Sequence, residues 1–114
     1  MPHEKYQKCI DACNQCAVTC EHCAAACLQE DNAKELARCI ALDLNCADIC
    51  YLSSKFMAGA SEFSERICIF CAEICEACGA ECKKHSHMSH CKECADACFQ
   101  CAKICREMAG VAAS

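Results

Sequence analysis

CIDACNQCAVTCEHCAAAC, residues 9–27, spaces six cysteines at alternating steps of four and three. The same alternation runs through CIFCAEICEACGAEC, residues 68–82, and CKECADACFQCAKIC, residues 91–105. Steps averaging 3.5 residues keep one stripe of an α-helix in view, whereas a strand would send the same side chains to both faces. Three helices are therefore read directly: one carrying Cys9, Cys13, Cys16, Cys20, Cys23 and Cys27, one carrying Cys68, Cys71, Cys75, Cys78 and Cys82, and one carrying Cys91, Cys94, Cys98, Cys101 and Cys105. A fourth, thinner group holds Cys39, Cys46 and Cys50.

Working outward from the seams, the first helix is expected over about residues 2–28, with Pro2 tolerated in its first turn. Residues 29–32 form a polar turn, and Asn32 with Glu35 has capping-box spacing for a helix over about 33–57. Ala58-Gly59-Ala60-Ser61 interrupts, and Ser61 is placed to cap a third helix over about 62–84. A short link containing His85, His87 and Met88 leads to a fourth over about 89–109. Short links make consecutive helices antiparallel neighbours, so the expected fold is an all-α, up-down-up-down four-helix bundle occupying residues 1–114 as one domain.

Composition says what fills it. Nineteen of 114 residues are Cys, while Val, Ile, Leu and Phe together number 18, too few for an ordinary aliphatic core. Twenty Ala, three Gly and one Pro favour uninterrupted helices. The net charge of −5, with both signs interspersed, gives no nucleic-acid footprint. Met1-Pro2-His3-Glu4-Lys5-Tyr6 has no apolar export core, and no stretch approaches the length of a transmembrane helix, so a cytoplasmic protein is expected. In a reducing compartment dense cysteine argues for metal or redox chemistry before a disulfide framework. Ile67, Ile69, Phe70, Ile74 and Phe99 fall outside the seam and hint at self-association.

Thiolates select soft ions: Cu(I), Zn²⁺ or iron–sulfur clusters. Each four-thiolate Zn²⁺ site carries two net negative charges, and no Lys or Arg lies on the seams to offset them. A monovalent ion held one per thiolate leaves the interior near neutrality, which favours Cu(I) at about one per Cys. Geometry agrees on a single helix: i,i+4 Cβ atoms lie about 5–6 Å apart, close to the ~4.5 Å span of a linear S–Cu–S unit. Eight C-x-x-x-C pairs offer such sites, whereas four convergent sulfurs would have to come from several helices. Iron–sulfur loops of the C-x₂-C-x₂-C kind are absent. The competing readings are a zinc or general soft-metal buffer, with about one ion per four Cys, and a thiol oxidoreductase. C-x-x-C occurs six times, but outside any βαβ context. No paired carboxylates, Ser-His-Asp order or phosphate loop points to an enzyme.

These repeats resemble the bacterial copper storage proteins, in their cytosolic branch. The resemblance covers nearly the whole chain, including Leu42-Asp43 before Cys46-Ala47-Asp48-Ile49-Cys50, Cys75-Glu76-Ala77-Cys78-Gly79, and the His-rich link before Cys91. It implies a bundle that fills with Cu(I) and assembles as a homotetramer. Helix 2, with three cysteines, departs from the pattern. Its heptad slots fall at Cys39, Asp43, Ser53 and Met57, so Asp43 points inward on a strict 3.5 period, while a straight helix presents Leu42 instead and leaves Asp43 at the seam's edge. Asp43, His85, His87 and His90 are the secondary ligand candidates. The three His stand at one end of the tube and read as a copper mouth or as an exposed link. Met57, Met108 and His3 mark the other end, and His22 reads as surface. Copper donors and acceptors are not identified by any motif.

Overall fold

The computed structural model describes residues 2–110, with side chains from residue 4 onward. Four α-helices run in sequence: α1, Gln7–Leu28; α2, Ala37–Ala58; α3, Ser64–Lys83; and α4, Ser89–Met108. There is no strand among the described residues. Each helix packs along its sequential neighbours and α4 closes against α1, giving an antiparallel bundle 47 Å long and 25 by 17 Å across. Partner numbers show the direction of the helices: Cys9 meets Cys105 and Cys27 meets Cys91 between α1 and α4, while Cys39 meets Cys82 and Cys50 meets Cys71 between α2 and α3.

The approach of the helices is set by small residues beside the seam. Ala17, Ala24, Ala47, Ala72, Ala95 and Ala102 each follow a seam cysteine and are 4 % exposed or less. With no side chain beyond Cβ there, neighbouring backbones come close enough for sulfur to meet sulfur. Gly79 follows Cys78 in the same register, and a Cβ on it would stand 2.9 Å from the Phe99 ring. The aliphatic residues cap and flank: Leu36 and Met57 are fully buried, whereas Ile67 and Ile74 pack on the rim. Of the off-seam residues, Phe70 and Phe99 remain 53 % and 40 % exposed.

The helix starts differ from expectation. Residues Pro2–Tyr6 and Ala33–Leu36 are 3₁₀ turns, so α1 and α2 begin at Gln7 and Ala37. Tight i→i+3 bonding satisfies the first amides where no side chain caps them. The Asn32–Glu35 capping box does not form. The Asn32 amide donates to the Glu35 carboxylate, and the Glu35 N–H bonds to the Asn32 carbonyl at 2.9 Å. Ser61 caps a turn and not the helix: its Oγ accepts the Phe63 N–H at 3.0 Å, and α3 starts at Ser64.

Candidate metal centre

All nineteen cysteines are buried and unpaired, and each is 1 % exposed or less. Between α1 and α4 the thiols form a staggered ladder. Cys9 lies 3.5 Å and Cys13 3.7 Å from Cys105, Cys20 lies 3.6 Å from Cys98 and from Cys94, and Cys23 and Cys27 lie 3.9 and 3.8 Å from Cys91. A second ladder joins α2 to α3: Cys39 to Cys82 at 3.3 Å, Cys46 to Cys75 at 3.5 Å, and Cys50 to Cys71 at 3.6 Å. Cys16–Cys46 at 3.8 Å and Cys50–Cys101 at 4.0 Å tie the ladders together. Cys78 and Cys94 meet at Asp43, and Cys68 meets the Met57 thioether at 3.6 Å.

Four convergent sulfurs are therefore available, contrary to the expectation that single-helix pairs dominate. The quartets Cys13/Cys71/Cys101/Cys105, Cys16/Cys46/Cys50/Cys75 and Cys20/Cys78/Cys94/Cys98 each have all ligand atoms within 4.8 Å. Contacts across helices are as short as 3.3 Å, while those within a C-x-x-x-C pair are 3.8–4.0 Å. The small residues beside the seams let facing helices bring their thiols closer together than the thiols four residues apart on one helix. With metal–sulfur bonds of about 2.3 Å, sulfurs about 4 Å apart suit three-coordinate and bridging arrangements as well as tetrahedral ones. Geometry alone thus admits Zn²⁺, and charge has to discriminate. Asp43 and Glu81 are the only charged side chains buried among the described residues, and no Lys or Arg is buried.

Asp43 points inward. It is fully buried, and its Oδ1 accepts from the thiols of Cys78 at 3.1 Å, Cys94 at 3.2 Å and Cys82 at 3.4 Å. Burial, and after it the neighbouring Cys94 and Cys78, push its carboxyl up to about 10. Leu42 takes the partly exposed flank.

The three histidines of the link separate. His90 Nδ1 lies 3.5 Å from Cys91, 3.7 Å from Cys23 and 3.8 Å from Cys27, completing a mixed quartet. Its Nε2–H faces the Glu30 carboxylate at 3.5 Å, which leaves the Nδ1 lone pair toward the thiols. Burial raises the Cys27 thiol and pushes Cys91 up to about 11, so both are protonated at neutral pH before metal arrives. His85 instead pairs with Glu81 at 3.3 Å, in a cluster with Arg38 and Lys84. His87 and His22 are exposed and touch no thiol. Of the three link histidines only His90 reaches the thiols, because position 90 lies within the first turn of α4 facing α1, whereas His87 fits the other reading, an exposed link. At the other end Met57 is buried and Met108 half-buried, and the His3 side chain lies outside the described residues. Glu30 and the Met57–Cys68 contact were not legible in sequence, since both depend on how separate helices meet.

Residues 2–110 match the family model described as copper storage protein. A cysteine-rich protein of Bacillus subtilis strain 168, YhjQ, is 52 % identical over 107 residues, 93 % of this chain and 98 % of that one. The Cu(I)-bound copper storage protein BsCsp3 of Bacillus subtilis superposes with a TM-score of 0.89 at 50 % identity, covering 93 % of this chain and 99 % of that one. A cytosolic copper storage protein from Streptomyces lividans, solved with five coppers, gives 0.91 at 34 % identity over 98 % of both chains. The chain belongs to the copper storage protein family.

Proposed function

We propose that this chain stores Cu(I) in the cytosol, at about one ion for each of its 19 cysteines, as a homotetramer. The observation that carries the reading is a continuous double ladder of buried, unpaired thiols with no buried cation beside it among the described residues. On loading, each thiol gives up a proton and each thiolate gains a monovalent ion, so the dry interior stays close to neutral. Four tetrahedral Zn²⁺ sites would leave about eight negative charges there, a cost no residue of the tube offsets. All nineteen cysteines act as ligands, His90 joins Cys23, Cys27 and Cys91, and Asp43 serves Cys78, Cys82 and Cys94 as an oxygen partner. The chain is a binding protein and not a catalyst. The cytosolic assignment follows the Streptomyces lividans relative. The tetramer follows the family resemblance and finds support in the exposed Phe70, Phe99, Leu44 and Leu52.

The test is metal analysis of the chain isolated anaerobically from copper-supplemented cytosol. Copper should exceed zinc at least tenfold per chain. Zinc in excess, at about one per four cysteines, would overturn the reading in favour of the zinc buffer.

A further inference from the structure

The two ends of the tube are unlike. At the His90 end the outermost thiols, Cys27 and Cys91, are 0 % exposed and lie behind the imidazole. At the other end, where α1 begins and α4 finishes, Cys9 lines a cavity of about 410 Å³. The remaining wall among the described residues is Lys5, Lys8, Ile104, Glu107 and Met108. That volume suits a small molecule, and it combines two ammonium groups, the single carboxylate of Glu107, an apolar pair and one thiol, a wall with one net positive charge. Cys9 is also the last rung of the α1/α4 ladder, 3.5 Å from Cys105. An incoming ligand that reached it would touch an end of the metal-binding network without crossing the bundle wall.

We propose that this cavity binds a small anionic thiol, a carboxylate-bearing monothiol, which exchanges Cu(I) with Cys9. Lys5 and Lys8 attract its carboxylates, while Ile104 and Met108 pack against its carbon chain. The step is ligand substitution at constant Cu(I) oxidation state. The incoming thiol forms a new sulfur–copper bond, the copper–Cys9 Sγ bond breaks, and the thiol's proton ends on Cys9 Sγ. The proposal rests on the storage reading above.

The test uses the copper-loaded full chain, with mercaptosuccinate as the anionic thiol and 2-mercaptoethanol as the neutral one, and release followed by an excess chromogenic Cu(I) chelator. Copper content per chain is measured first. For Lys5→Gln/Lys8→Gln the mercaptosuccinate-driven rate should fall about tenfold, as loss of electrostatic attraction predicts, with the 2-mercaptoethanol rate changed less than twofold. Succinate, which has no thiol, should inhibit the mercaptosuccinate reaction of the unaltered chain and not that of 2-mercaptoethanol. Equal slowing with both thiols, or no slowing and no succinate inhibition in a chain that fills normally, would overturn the cavity. A chain that takes up only a few copper ions would overturn the storage reading and the exchange together.

Discussion

Asp43 is a fully buried carboxyl in contact with three thiols of the tube, and its charge state couples the bundle to pH. In the unfolded chain it ionises near 4, whereas in the fold its carboxyl is pushed up to about 10 by burial and adjacent thiols. Between those values the folded chain holds a proton that the unfolded chain does not. The stability Asp43 contributes is therefore complete below about pH 4 and declines as pH rises toward 10. Asp43→Asn removes the titration: the metal-free variant should melt well above the parent at pH 8 and gain about half as much at pH 6. Melting curves that stay parallel across this range would contradict it. The heptad alone left Asp43 and Leu42 in competition, because a 3.5 and a 3.6 period diverge by only tens of degrees over this stretch. The histidines were harder to read, since composition groups three of them and only backbone placement selects His90. His90→Ala should slow copper uptake and weaken the outermost ion, His87→Ala should do neither, and Glu30→Gln should weaken that ion about tenfold by releasing the ring. Stopped-flow loading of the three variants checks this, and a slow His87→Ala chain would refute it.

The seam cysteines place the helices, and the residues just after them set how closely the helices pack. Gly79 lies beneath Phe99, where an added Cβ would come within 2.9–3.1 Å of three ring atoms. Gly79→Ala gains about 1 kcal/mol of helix propensity but forces the ring outward, an overpacking cost of about 1–3 kcal/mol, so net destabilisation of about 1 kcal/mol is expected. In a Phe99→Ala background the same substitution should stabilise by about 1 kcal/mol. Urea midpoints of the double-mutant cycle test the coupling, and additive effects would exclude it. The alternating steps within α1, α3 and α4 were enough to identify those helices from sequence. The starts of α1 and α2 were not, because Ala33–Leu36 closes as a 3₁₀ turn whose backbone bonds replace the side-chain cap that Asn32 and Glu35 suggested.

For the molecule as a whole, Cys and Ala pack well enough to hold the bundle without metal. Circular dichroism of the reduced, metal-free chain should remain helical, and copper should raise the melting temperature steeply, by linkage of about 2.7 kcal/mol for each ion at a hundredfold excess over its Kd. An unfolded metal-free chain would show instead that metal drives folding. The sulfur quartets were the least legible feature, since the periodicity of one helix says nothing of the stagger between two. The sequence pattern suggested two-coordinate pairs along a helix, whereas Cys39–Cys82 at 3.3 Å and Cys46–Cys75 at 3.5 Å belong to facing helices. Capacity follows from charge and not from that geometry. The most direct measurement is an anaerobic Cu(I) titration of the fully reduced chain against a competing chromogenic chelator. The chelator should stay empty until about one copper per cysteine, close to 19 per chain, has been added. Chelator colour after only a few equivalents would contradict the storage account.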